Sequence, residues 1–157
     1  FLGRVLRRLR FSTSEVRLGQ RIALGNPLAW RLTLNPPTPL DLYRFFRETK
    51  GAGVEALLLS LADRLATLKG DILAPEWQEH LTSTKVILSR YFGEEKIFPL
   101  TLLTGDDLQS RFHLEPGPLI GHLLEAVREA QVEGKVRSRE EALKLIEEVL
   151  LQEKNQV

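Results

Sequence analysis

The chain has 157 residues, 43% of them hydrophobic and 27% charged, and it contains no cysteine. That composition is expected of a soluble globular protein of one domain or two small ones, and it excludes disulfides and thiolate metal sites; no apolar run approaches the ~18 residues of a membrane span, and the basic stretch over residues 1–11 is too short for a secretory signal. The net charge of +1 hides an asymmetry: residues 1–50 hold ten Lys/Arg against three acids, a balance of +7 that leaves −6 for the remainder, so a polyanion partner and a merely solvated basic helix face both stand open.

The chain also lacks methionine, and Phe1 already lies inside an amphipathic pattern. The expectation is a fragment of a longer protein, cut at or near a helix start. Leu2, Val5, Leu6 and Leu9 follow the i, i+3, i+4, i+7 rule and predict an opening helix, with Arg4, Arg7 and Arg8 on its other face. Ser12 and Glu15 spell a capping box for a second helix, which Gly25-Asn26-Pro27 should end. Residues 28–37 read as the least regular stretch, because Asn35-Pro36-Pro37 cannot be helix interior. Thr38 as N-cap and Pro39 as first helical residue restart a helix through Leu42, Tyr43, Phe45 and Phe46, which stops at Gly51-Ala52-Gly53. Val54, Leu57, Leu58, Leu61, Leu65 and Leu68 make the longest periodic stripe, closed by Gly70.

Pro75 can open the next helix, through Trp77 to Tyr91, with Gly93 after it. Thr104 to Arg111 reads as a short helix and Pro118 to Val132 as a longer one, ended by Gly134. Ser138 and Glu141 form a second capping box ahead of Ala142, Leu145, Ile146, Val149 and Leu150, and Lys154 to Val157 is expected to fray. No run alternates with period two for long enough to be a strand. The expected fold is all-α, with about seven or eight helices in a bundle-like, two-layer arrangement divided near Gly70–Ala74.

Catalytic constellations are thin. His80, His113 and His122 share no metal-ligand spacing and are each expected to be surface or satisfied residues. Asp106 and Asp107 are adjacent, so on a helix they point roughly 100° apart, which suits a first-turn complement to the helix dipole better than a metal pair. There is no phosphate loop, dinucleotide fingerprint or nucleophile elbow. Binding chemistry is better represented. Glu115-Pro116-Gly117-Pro118 turns into a helix N-terminus, whose free N–H groups favour anions. Gly121 then sits in the first turn, where glycine costs about 1 kcal/mol relative to alanine; either another backbone or a ligand should come close to it. Lys135, Arg137 and Arg139 surround the helix start at Ser138 and make a cationic turn. Ordinary helix connections, with Gly121 packed on a neighbouring helix, remain the alternative.

Two sets of residues carry a family resemblance. Tyr43-Arg44-Phe45-Phe46-Arg47-Glu48-Thr49 followed by Leu57-Leu58-Leu59-Ser60-Leu61-Ala62-Asp63-Arg64 resembles the bacterial tRNA nucleotidyltransferase/poly(A) polymerase family with an HD-type domain. Leu103-Thr104-Gly105-Asp106-Asp107-Leu108, then Pro116-Gly117-Pro118-Leu119-Ile120-Gly121 and Glu133-Gly134-Lys135-Val136-Arg137-Ser138-Arg139-Glu140-Glu141-Ala142, resemble the C-terminal RNA-binding tail of the same enzymes, in the same order and spacing.

The resemblance runs from about Val5 to Leu150. It implies a truncated HD-like body over 1–72 and an RNA-binding tail over 73–157, a C-terminal fragment of a CCA-adding or poly(A) polymerase-type enzyme. It implies tRNA as partner, together with an N-terminal nucleotidyltransferase domain of the same protein that would lie upstream of Phe1, and a cytoplasmic, membrane-free setting. Mg and CTP/ATP are implied for the parent enzyme and no cofactor for the fragment, which should be non-catalytic by itself. Gly105, Gly117 and Gly121 would let RNA approach the backbone, and Lys135, Arg137 and Arg139 would supply charge. Asp63 looks like the late Asp of an HD metal set whose early His and His-Asp pair would precede Phe1, so it stands as an orphan, and no catalytic or metal residue is assigned. A metal-dependent HD phosphohydrolase and an all-α scaffold, with Arg4, Arg7 and Arg8 facing another domain, remain alternatives, as does the choice among adding CCA, A alone or poly(A).

Overall fold

The computed structural model describes residues 1–93 and 97–154, the side chains of 153 and 154 excepted. Among the described residues are eight α-helices and no strand: α1 (Leu2–Arg8), α2 (Thr13–Thr33), α3 (Pro39–Glu48), α4 (Gly53–Thr67), α5 (Pro75–Phe92), α6 (Gly105–Phe112), α7 (Pro118–Val132) and α8 (Arg139–Lys154). The fold is all-α, as expected. Fraying is expected over Lys154–Val157; Lys154 is the last residue of α8, and residues 155–157 lie outside the described residues. No helix among the described residues is long and apolar enough to cross a membrane.

The chain forms two compact units, Phe1–Ile97 and Phe98–Val157. This seam comes later than the expected one at 72/73. Helix α5 packs on α4 and α2, so it belongs with the N-terminal helices. Its buried Ile87 joins Ala29, Leu42, Phe45, Phe46, Ala56 and Leu57 in one core. Each fully buried Leu or Ile of that kind is worth roughly 1.5–3 kcal/mol. The Tyr43-Arg44-Phe45-Phe46 block supplies three buried rings, and Phe46 stacks on Tyr91 of α5 with centroids 4.2 Å apart.

Helix α2 corrects the sequence reading. It opens at the predicted Ser12–Glu15 capping box, but it does not stop at Gly25. It runs through Gly25 and Pro27 to Thr33, so most of the stretch expected to be irregular is helical. A proline in a helix interior forfeits a hydrogen bond and costs ~3 kcal/mol. Here Pro27 and Ala23, whose carbonyl loses its donor, are both exposed, so the break faces solvent. The compensating contact lies on the other side. Gly25 is buried, and a Cβ built there would stand 2.8 Å from Ala56 Cβ and 3.1 Å from Thr49 Cγ2. Local stop signals yield to this close passage of α2 over α4. The real stop comes at Asn35-Pro36-Pro37, where helical geometry is disfavoured.

His80, only 4% exposed, ties three helices of this unit together. Its Nδ1 lies 2.8 Å from Thr33 Oγ1 and its Nε2 3.1 Å from Ser60 Oγ. The Thr33 hydroxyl already donates to the Trp30 carbonyl at 2.8 Å. It can therefore only accept from His80, which fixes the neutral ring with its proton on Nδ1 and leaves Nε2 to accept from Ser60. Burial holds the imidazole pKa below its ordinary value; the Ser60 backbone opposes this, and the Arg64 cation adds to the lowering.

The second unit packs α7 between α6 and α8. Leu108, Leu123, Val127, Ala142 and Ile146 form its core. Helix α7 keeps its predicted bounds, and Gly134, at φ +75°, supplies the left-handed stop.

Two expectations follow. Gly25→Val should lower stability by about 2 kcal/mol, within the ~1–3 kcal/mol range for overpacking, because Ala56 Cβ is too short to swing aside; a denaturant melt reads this, and an unchanged midpoint would mean α2 and α4 can separate freely. The second concerns pH. Since the folded pKa of His80 lies below the unfolded value near 6.5, its contribution is complete above about pH 6.5 and is lost as pH falls below it toward the folded pKa. The His80 ring should titrate by NMR below the free-histidine value, and thermal stability should decline over that interval less in His80→Gln than in the wild type.

Candidate nucleic-acid interface

The predicted tail residues lie in the second unit, in two groups at opposite ends of α7. That helix has 15 residues and is therefore roughly 22 Å long. At its N-terminal end, Gly117 is the N-cap, with extended backbone and exposed to solvent. Gly121 is exposed, and a Cβ there would meet nothing within 4 Å. The close approach expected at Gly121 therefore does not come from this chain. Gly105 is different. It begins α6, and a Cβ there would lie in ordinary contact with Ile120 Cγ2 at 3.5 Å, so it sits beside the α6–α7 contact.

At the other end, the cationic turn is partly neutralised. Lys135 Nζ pairs with Glu133 at 2.8 Å. The Arg137 side chain donates through Nε to the Gly134 carbonyl at 3.3 Å, while its backbone N–H meets Glu141 Oε2 at 2.6 Å. The predicted Ser138–Glu141 box is present: the Glu141 N–H donates to Ser138 Oγ, and the Ser138 N–H to Glu141 Oε2. Arg139 reaches back to Asp107 at 2.6 Å and donates to the Leu102 carbonyl at 3.3 Å.

Asp107 explains itself through these partners. It closes a capping box with Thr104 and receives the Arg139 fork, pinning the start of α6 to the start of α8. The Arg139 hydrogen bond, followed by the Thr104 backbone and hydroxyl, holds its carboxyl well below the usual carboxylate range. The first-turn role expected for Asp107 is present; its long-range partner was not visible in the sequence. Asp106 is exposed beside it.

The first unit holds the remaining candidates. Asp63 is exposed on α4, and its carbonyl accepts from Thr67 at 2.9 Å. No group of three or more His, Cys, Asp or Glu among the described residues could hold a metal ion. Arg4, Arg7 and Arg8 lie exposed on α1. Charge divides with the units. Residues 1–97 carry fifteen Lys/Arg against ten acids, and residues 98–157 carry seven against eleven, so the first unit is +5 and the second −4. Sequence reasoning noticed the basic half but missed its organisation. Cutting the second helix at Gly25 split a stripe of Arg17, Arg21, Leu24, Leu28 and Arg31 that repeats at alternating steps of four and three.

Residues 96–146 match the family model described as tRNA nucleotidyltransferase domain 2, putative. Over 92% of its length the chain is 33% identical to the CC-adding tRNA nucleotidyltransferase of Synechocystis sp.. Over 86% it is 31% identical to the Geobacter sulfurreducens CC-adding enzyme, and over 64% it is 36% identical to that of Thermus thermophilus. The chain spans 32%, 29% and 21% of the length of these relatives. No solved structure matches. The chain is thus similar to tRNA nucleotidyltransferases over most of its length.

Proposed function

We propose that this chain is the tRNA-binding C-terminal part of a CC-adding type of tRNA nucleotidyltransferase, and that nucleotide transfer is the work of another part of the same protein. The observation that carries the reading is the 33% identity over 92% of the chain to an enzyme of that name, of which the chain spans only 32%. All three relatives carry the CC-adding name, which favours that activity over adding A alone or a poly(A) tail. Mg2+ and the nucleoside triphosphates belong, in this reading, to the transferring part. Asp63 is exposed and part of no metal-binding cluster among the described residues, so no chemical step is assigned to it.

The tail would work by shape and charge. The start of α7 offers unpaired backbone N–H groups to phosphate, and the open first turn at Gly121 lets an RNA backbone come close. Lys135 and Arg137 add charge at the far end. Such contacts position an RNA without reading its bases.

Two outcomes are expected. Incubated with a tRNA lacking its CCA end, CTP, ATP and Mg2+, the isolated chain should leave the RNA length unchanged; extension abolished by Asp63→Ala would overturn the assignment. In fluorescence anisotropy with labelled tRNA, Lys135→Glu/Arg137→Glu should weaken binding and flatten the log–log salt slope by about one for each phosphate no longer neutralised. In the same assay Gly121→Val should weaken binding while leaving the melting curve nearly unmoved, and wild-type affinity in both variants would remove the RNA role from the tail.

A further inference from the structure

The unbroken course of α2 creates a surface that the tail reading does not use. Arg17, Arg21, Leu24, Leu28 and Arg31 fall at i, i+4, i+7, i+11 and i+14, so they share one face of the helix over about 21 Å. Two hollows of about 380 Å3 each lie along this face, both lined by α3 residues as well. One is flanked by Arg31 and Arg44, the other by Arg21 and Lys50. Leu28 and Glu48 line both, so the two hollows are neighbours along the α2–α3 groove. Arg21 reaches across it, donating from Nη1 to the Lys50 carbonyl at 3.2 Å.

The charge of this groove is biased. Arg21, Arg31, Arg44 and Lys50 are all exposed, and Arg17 continues the row one turn further along α2. Against these five cations stand Asp41 and Glu48. The Asp41 carboxylate is turned back into its own capping box, accepting from the Thr38 N–H and hydroxyl at 2.9 and 2.6 Å. The groove also lies in the unit with the positive balance of +5, counted over fifteen basic and ten acidic residues.

We propose that the α2–α3 groove is a second RNA surface on this chain, one that takes the sugar-phosphate backbone of a strand laid along α2. Guanidinium forks spaced along a straight row suit the repeating charge of a polyphosphate, which they can grip bidentately. A folded protein partner would need an apolar centre, and Leu24 is the one large apolar side chain lining the groove that is strongly exposed, at 75%. The proposal rests on RNA being the partner, as in the functional reading above, but assigns contacts to the first unit rather than to the tail.

The test uses the whole chain and a labelled RNA minihelix, with anisotropy measured across a salt series. Arg17→Glu/Arg31→Glu should weaken binding roughly tenfold at moderate salt and flatten the log–log slope by about two. Its thermal melt should match the wild type, since both side chains are exposed; Arg17→Ala/Arg31→Ala, which adds no repulsion, should show the same flattening with a smaller loss of affinity. Lys135→Glu/Arg137→Glu is measured in parallel. Unchanged affinity and slope in both Arg17/Arg31 variants would overturn the groove while leaving RNA binding by the tail intact. If the wild type fails to bind RNA at all, both readings fall. If it binds poly-glutamate as tightly as the minihelix, with the same dependence on Arg17 and Arg31, the groove is a site for an acidic protein segment and the RNA assignment is overturned.

Discussion

The passage of Gly25 over Ala56 is the constraint on which the first unit depends. Helix α2 touches α1, α3, α4 and α5, so its course sets where each of them can lie. At Gly25 the space that a side chain would fill is taken by Ala56 and Thr49. Two small residues thus let the backbones of α2 and α4 approach, and both are buried. The approach carries α2 through a proline that would otherwise end it. It also places Thr33 and Ser60, on different helices, on either side of the His80 ring. A larger residue at position 25 would disturb the seam and, through it, the polar cluster beneath.

What could be read in advance follows from the range of each interaction. Capping boxes span four residues, and those at Ser12 and Ser138 were visible in the sequence, as was the N-cap at Thr38. The bounds of α7 were legible for the same reason: a proline opens it and a left-handed glycine follows it. The end of α2 was not legible, because Gly25-Asn26-Pro27 is a local stop overruled by a contact with residues 24 and 31 positions away. Arg139 and Asp107 are 32 residues apart, so their pairing could not be read either. Each was given a plausible local role, one on RNA and one on a helix dipole, while the fold uses them as a brace.

The same distinction bears on the family motifs. Tyr43, Phe45 and Phe46 are core residues, Ser60 holds a histidine, and Thr104 with Asp107 closes a cap. In this chain, these stretches encode packing and capping. Gly105 falls into this group, sitting against Ile120. Gly121 does not. A Cβ at Gly121 would meet nothing within 4 Å among the described residues, and an exposed helical glycine forgoes ~1 kcal/mol that alanine would supply. The candidate interface was therefore less legible than the fold. Motif spacing could mark Gly105 and Gly121 together, but only coordinates separate the one that packs from the one that faces outward.

Charge adds a second separation. The unit that holds the tail motifs is the acidic one, and two of the three cations of its basic turn are paired: Lys135 with Glu133, and Arg139 with Asp107. Net charge does not by itself decide where a polyanion docks, because at physiological salt fields fade within about 8 Å. Within that distance, what counts is whether cations stand in a row and whether acids stand among them. In the tail, acids are close enough to compete for Arg128, Lys135 and Arg139. Along α2 the basic side chains repeat at helical spacing, and one of the two nearby carboxylates is held in a cap. In the reading proposed here, the two units therefore contribute different kinds of contact: the tail offers oriented backbone N–H groups, which fix position, and α2 offers exposed guanidinium groups, which supply most of the salt-sensitive attraction.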